Sequence, residues 1–229
     1  MDTYRKMQVA HFKHDGREDI AKAHLGPIQA HQDYPYAEHA LAKVSDPANT
    51  VALDFGCGPG RMILQLAPRL KRVDGCDISE GQIIVARRWL AHLDSRLYVT
   101  DGANLGDAPS AEYDLVYCTI SFQHVARHDI RMLLLAEMFR VLKPGGRLAL
   151  QCTWTDKPQR QSMWRDNRDD ITTTNGQDGG MADFTMTPTT WPQAIEDLTG
   201  LGFTNIEYTI TPPPHEWPAD WMWLYAVKP

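Results

Sequence analysis

A chain of 229 residues, 43% hydrophobic and 23% charged, is long enough for one sizeable core, and it has no apolar run that could span a membrane. The formal net charge is −6 with no basic block, which argues against nucleic-acid phosphates as partners, since those need clustered Lys and Arg. The polar opening 1–15 lacks the apolar stretch of a secretion signal, and four cysteines without a C-x-x-C pair read as small buried hydrophobes in a reducing, cytoplasmic setting.

In chain order, the first element is an amino-terminal arm, residues 1–46, in which Tyr34, Tyr36 and His39 precede an apparent helix. These aromatics suit either a surface helix against a sheet edge or a cover over a binding site. The run Val51-Ala52-Leu53-Asp54-Phe55-Gly56-Cys57-Gly58-Pro59-Gly60-Arg61 then reads as a buried strand, a glycine-rich turn and a helix start. Alternating glycines let the backbone pass close to a ligand where a Cβ would collide. The helix start offers unbonded N–H groups and a partial positive charge. Asp54, at the strand end, can fix the loop through backbone N–H bonds or hold an ammonium group. A dinucleotide fingerprint needs G-x-G-x-x-G, but Arg61 or Ile63 stands at the third glycine in the two available registers.

A second strand is predicted over 72–77, with Asp77 about twenty residues past the loop, where a carboxylate can accept ribose hydroxyls. Ser79-Glu80-Gly81-Gln82 carries the capping-box pattern of the next helix. A third strand over 97–100 ends at Asp101-Gly102-Ala103. A fourth, over 113–118, leads into Thr119-Ile120-Ser121-Phe122-Gln123-His124. Ile130, Leu134, Met138, Val141 and Leu142 keep near-helical spacing, and Leu142-Lys143-Pro144-Gly145-Gly146 ends that helix before a fifth strand at 147–153. Residues 154–187 are polar, with Trp164, Arg160, Arg165 and Arg168, and a connection of that length is a lid or an insertion. Thr190 caps a helix reaching Thr199, with Gln193 in a second capping box, and strands over 205–210 and 220–227 flank a proline-rich link. Trp221, Trp223 and Tyr225 alternate and so share a face, for core packing or, if exposed, for a homodimer contact. A monomer or homodimer is expected.

The D-x-G-x-G-x-G pattern at 54–60, the acidic strand ends Asp77 and Asp101, and L-K-P-G-G before the fifth strand together resemble the class I S-adenosylmethionine-dependent methyltransferases of the small-molecule type. The resemblance is strong over 50–153 and weaker beyond. It implies an α/β, Rossmann-like, seven-stranded, mostly parallel sheet flanked by helices, with the last strand antiparallel. It divides the chain into an N-terminal arm or helical lid at 1–46 and a methyltransferase domain at 47–229 with a lid-like insertion at 154–187. S-adenosylmethionine is the implied cofactor and S-adenosylhomocysteine the product. The resemblance places Gly56, Cys57, Gly58 and Gly60 beside the amino-acid part of the cofactor and Asp77 on the ribose. It places Ile78 on the adenine, Asp101 with Gly102 and Ala103 at the adenine edge, and Cys118 and Thr119 at the fourth strand's end.

The implied reaction moves a methyl group from a sulfonium, so the protein chiefly positions a nucleophile in line with the S–CH3 bond. His124 is the candidate base, with an intrinsic pKa suited to accepting a proton near neutrality, and packing against the next helix is its alternative role. Tyr34, Tyr36, Gln123, Trp154 and Trp164 are candidate substrate contacts. The N-P-P-Y-like tetrapeptide of enzymes that methylate amino groups of adenine or glutamine is replaced by Cys118-Thr119-Ile120-Ser121. Cys118 also stands where catechol-type enzymes place a metal-binding Asp, so no metal is expected. The expected acceptor is a small molecule with an oxygen, nitrogen or carbon nucleophile. A protein methyltransferase, a non-catalytic binder and a dehydrogenase are the alternatives.

Overall fold

The computed structural model describes residues 3–13, 16, 35–154, 191–212 and 220–229. Its elements are α1 (Thr3–His11), α2 (Tyr36–Leu41), β1 (Val51–Phe55), α3 (Arg61–Leu66), β2 (Arg72–Asp77), α4 (Glu80–Trp89), β3 (Leu97–Val99), β4 (Tyr113–Cys118), α5 (His128–Val141), β5 (Leu142–Thr153), α6 (Trp191–Gly200), β6 (Thr204–Thr211) and β7 (Trp221–Val227). Short 3-10 turns lie at Pro47–Asn49 and Phe122–His124.

The strands form one seven-stranded sheet in the order β3-β2-β1-β4-β5-β7-β6. β1 to β5 pair in parallel, whereas β7 lies antiparallel between β5 and β6. The fold class predicted from the sequence is the one observed. The order reverses beside β1, so the carboxyl ends of β1 and β4 diverge around a crevice, the usual ligand position in such sheets.

Period-2 alternation splits the apolar residues between two faces. Val51, Leu53 and Phe55 of β1 pack with Leu134, Met138 and Val141 of α5 and Leu198 of α6. Ala52 joins the opposite face, with Ile63 and Leu66 of α3, Ile83 and Ala86 of α4, and Trp223 of β7. Each such fully buried large side chain contributes about 1.5–3 kcal/mol relative to exposure. Trp221, Trp223 and Tyr225 share that inner face and are 3%, 0% and 4% exposed, so they pack the core and present no exposed strip for a dimer.

Several boundaries differ from the sequence reading. β5 starts at Leu142 rather than Arg147, because Leu142 already pairs with Tyr113 before a register shift brings Leu115 opposite Arg147. Lys143-Pro144-Gly145-Gly146 is therefore a bulge within the strand, with Gly145 at φ 77°. β3 ends at Val99, although the Thr100 N–H still donates to the Asp77 carbonyl at 2.9 Å. β6 runs one residue further at each end than predicted, and the expectation of a helical arm over 1–46 carried no bounds for α1. Its Tyr4 and Gln8 are buried one helical turn apart, a signal hidden by the low apolar content of the segment. Ser79 does cap α4, its side chain accepting from the Gln82 N–H at 3.4 Å. The lid-like insertion falls almost wholly outside the described residues, as do Thr190, Tyr34 and Trp164. No described helix is long and apolar enough to cross a membrane.

Candidate functional site

The crevice at the carboxyl ends of β1, β2 and β4 holds two adjoining lobes. The larger, about 230 Å³, is walled by the glycine loop, Asp54, Arg61, Gln82 and the Thr119–Ser121 turn. The smaller, about 100 Å³, is mainly apolar and is bounded by Phe12, Ile78, Gly102, Val125 and Leu134, with Gln8 among its polar groups. Gly56, Asp77, Ser121, His124 and Phe12 border both.

The glycine loop is held from below. The Gly56 and Cys57 N–H groups donate to the Cys76 carbonyl at 2.8 and 3.0 Å, and the Gly58 N–H donates to Asp77 Oδ2 at 2.8 Å. Asp77 Oδ1 accepts the Ser79 N–H at 2.8 Å, so one carboxylate links the loop to the start of α4. The loop is thus anchored by β2 and not by Asp54, which corrects the first of the two roles read for that residue. Gly58 has φ 52°, and a Cβ built there meets nothing within 4 Å. A side chain would project into open cleft, in a backbone conformation L-residues avoid.

Asp54 instead sits in a buried electrostatic cluster. Burial pushes its carboxyl up to about 8, Arg61 and the Tyr117 hydroxyl pull it back, and Asp77 adds repulsion. Burial also draws the Arg61 guanidinium down to about 10, while Tyr36, Asp54 and Tyr117 support its charge. The guanidinium lies over the Tyr36 ring at 5.5 Å. Arg61 Nε and Gln82 Oε1 are buried without hydrogen-bond partners, one donor and one acceptor at the wall of the same lobe. Arg61 was legible only as a missing third glycine, and nothing in its spacing marked it as a wall of the site.

His124 reaches both lobes from the 3-10 turn after β4, with its ring centroid 6.3 Å from that of Phe12. Behind this turn lies a buried polar chain. The Ile120 N–H donates to Gln151 Oε1 at 2.7 Å, Gln151 Nε2 donates to Gln123 Oε1 at 3.1 Å, and Thr153 Oγ1 donates to the same oxygen at 2.7 Å. Ile120 has φ 68°, a costly conformation for a β-branched residue that persists only where surrounding bonds over-determine it.

The structure brings Asp54, Gly56, Cys57, Gly58, Thr119 and His124 together on the larger lobe, and Asp77, Ile78 and Gly102 on the smaller. The other candidates lie off the lining. Gly60 is the left-handed N-cap of α3. Cys118 points into the core, where its Sγ accepts the Phe122 N–H at 3.3 Å. Asp101 is engaged by Arg5, and its Oδ1 accepts the Ala103 N–H at 3.0 Å. Tyr36 and Gln123 are buried behind the wall. Trp154 packs on the core, its backbone N–H donating to the Asp220 carbonyl at 2.8 Å. Burial raises the thiols of Cys57, Cys76 and Cys118 and pushes Cys152 up to about 12, so all four are neutral near pH 7. Among the described residues, no three His, Cys, Asp or Glu side chains converge as a metal set.

A family described as "Methyltransferase domain" matches residues 52–146, which include the glycine loop and the first four strands. Over these residues the chain is similar to S-adenosylmethionine-dependent methyltransferases. Among its relatives is the trans-aconitate 2-methyltransferase of Acidovorax sp. (strain JS42), 35% identical over 143 residues that cover 57% of this chain and 52% of that protein. An S-adenosyl-L-methionine-dependent Diels-Alderase of Talaromyces variabilis is 38% identical over 118 residues, 49% of this chain and 39% of that one. The chain thus spans about half the length, or less, of these curated relatives. A Methanosarcina mazei SAM-dependent methyltransferase structure superposes with a TM-score of 0.65 at 20% identity, covering 85% of this chain and 97% of that one. The crevice has three features that fit an adenosyl-sulfonium ligand: a glycine cradle open to the cleft, an acid beside an arginine at one end, and an apolar slot at the other.

Proposed function

We propose that this chain transfers a methyl group from S-adenosylmethionine to a small-molecule acceptor. The observation that carries the reading is one continuous cleft with the Asp54–Arg61 pair at one end and His124 bordering both lobes. The cofactor's zwitterionic tail matches that pair: Asp54 takes the ammonium, and Arg61 takes the carboxylate through its unpartnered Nε. Asp77 offers its carboxylate to the ribose hydroxyls. A carboxylate has about four acceptor sites, and the Gly58 and Ser79 N–H groups hold this one in a fixed orientation at the cleft. Ile78 covers the heterocycle.

When bound, the cofactor supplies a methyl carbon already activated by its sulfonium. The chain's part is to hold the acceptor in line, exclude water and receive any proton the acceptor sheds. The acceptor's nucleophile forms its bond to the methyl carbon as the C–S bond breaks, and the electron pair returns to sulfur as a neutral thioether. An acceptor that arrives protonated gives its proton to His124; a carboxylate acceptor needs no base, and His124 then orients it.

The trans-aconitate enzymes among the relatives put carboxylic acids first in an acceptor panel, with phenols and amines after them. The chain is incubated with methyl-labelled S-adenosylmethionine, and mass spectrometry follows labelled acceptor and S-adenosylhomocysteine. Equal amounts of both from one small acceptor support the reading. Label found only on added protein overturns it in favour of a protein methyltransferase. Tight cofactor binding without transfer across the whole panel overturns it in favour of a non-methylating binder.

A further inference from the structure

Helix α1 closes the smaller lobe from above and is pinned at two places. Tyr4 accepts the Ala126 N–H through its hydroxyl at 2.8 Å, which ties the helix to the segment after β4. Arg5 pairs with Asp101, which ties it to the end of β3. Gln8 follows these residues by four and three positions, and so lies on the same side of the helix. Its side chain is 4% exposed, borders the smaller lobe, and carries an Oε1 that is buried without a hydrogen-bond partner. A buried acceptor left unpaired costs about 1–3 kcal/mol, so such an atom in a binding cleft points to a ligand donor.

Gly102 lies beside that oxygen. A Cβ on Gly102 would lie 3.0 Å from Gln8 Oε1 and 3.0 Å from Ile78 Cδ1, tighter than ordinary contact, so glycine is what lets the amide oxygen and the apolar side chain meet beside the backbone. Phe12, Val125 and Leu134 form the apolar side of the lobe, and Thr100, Ser121 and His124 are its polar groups besides Gln8 and Asp77. A flat heterocycle with one amino edge has the complementary chemistry. It is also the part of an adenosyl ligand that follows the ribose, and Asp77 borders this lobe. The rival acceptor is Asp101, but its carboxylate is engaged by Arg5 and Ala103 and does not border the lobe.

We infer that Gln8 is the residue that reads the adenine amino group, its Oε1 accepting a hydrogen bond from the exocyclic N–H. Asp101 acts one step removed, holding α1 in place through Arg5. The inference rests on the adenosyl cofactor of the proposed reaction, which the same experiment checks separately.

The test is calorimetric titration with S-adenosylhomocysteine and with its purine analogue that has hydrogen in place of the 6-amino group. The wild-type chain is expected to bind the amino-bearing ligand about tenfold more tightly. Gln8→Leu is expected to bind both within about twofold, because neither ligand then finds an acceptor. Gln8→Glu, which keeps an acceptor and sits one turn from Arg5, is expected to retain the preference. It also guards against a Leu variant whose helix has merely loosened. A preference that survives in Gln8→Leu, or is lost in Gln8→Glu, overturns the inference and leaves the cofactor reading standing. A wild-type chain that binds neither ligand overturns both.

Discussion

At the glycine-loop end of the cleft, the anchoring atoms come from residues close together in the chain and are largely backbone. The Cys76 carbonyl and Asp77 carboxylate receive the loop N–H groups, and Ser79 starts the next helix two residues later. At the His124 end, side chains from far apart converge. Tyr4 meets Ala126 across 122 positions, and Gln151 reaches Ile120 across 31. A backbone-built end depends on a few carboxylates and on the absence of Cβ atoms. A side-chain-built end depends on packing and is free to vary with the acceptor, the usual division between a shared scaffold and a grafted site.

The sharpest way to break this contrast is at Asp77. Asp77→Ala removes the acceptor of the Gly58 N–H in the loop and of the Ser79 N–H at the start of α4, together with the proposed ribose contact. S-adenosylhomocysteine affinity is therefore expected to fall about a hundredfold or more by calorimetry. A loss below about tenfold means the loop stands without β2.

At the other end, His124→Gln is expected to cut turnover about a hundredfold for an acceptor that must lose a proton, with cofactor affinity nearly unchanged. A loss of only a few-fold makes His124 an orienting residue.

Asp54 tests the glycine-loop end through pH. Its folded pKa of about 8 lies above the ordinary 3.8, so the empty protein binds a proton there that the unfolded chain has shed. Stability without ligand is therefore expected to fall as pH rises between those values and to level off above about 8. A ligand ammonium favours the charged carboxylate, so binding expels the proton, and affinity is expected to rise up to about tenfold per pH unit below 8. Asp54→Asn should flatten both slopes, raise the melting temperature at pH 8 and weaken binding. An unchanged pH profile in that variant would remove Asp54 from the cofactor site.

The smallest effect is expected at Gln151. Gln151→Leu leaves the strained Ile120 N–H without its acceptor, at about 1–3 kcal/mol, read as a lower melting temperature. Turnover should fall about tenfold while cofactor affinity holds, and restoration by Gln151→Glu separates an acceptor role from simple packing.

Much of the sheet was legible before the structure. Strands 72–77 and 113–118 fall where they were read, because a buried strand between turn signals leaves a dense local pattern. The start of β5 was misread because Pro144 and two glycines look like a terminator, while tertiary pairing with β4 carries the strand past them as a bulge. The bounds of helix α1 were missed because its buried face is Tyr4 and Gln8, one aromatic and one amide, which leaves little apolar periodicity to detect.

The sequence alone determined the order of the strands and of the helices after α1, the glycine turn and the acid at the end of β2, since each depends on residues within one or two turns of one another. Only the tertiary structure decided that Asp77 anchors the loop, that Asp101 faces Arg5, that Arg61 walls the larger lobe and that Gln8 borders the smaller one. Those outcomes depend on which neighbour reaches a polar atom first once the chain is packed. Local spacing carries no record of a partner about a hundred residues away, such as Arg5 for Asp101.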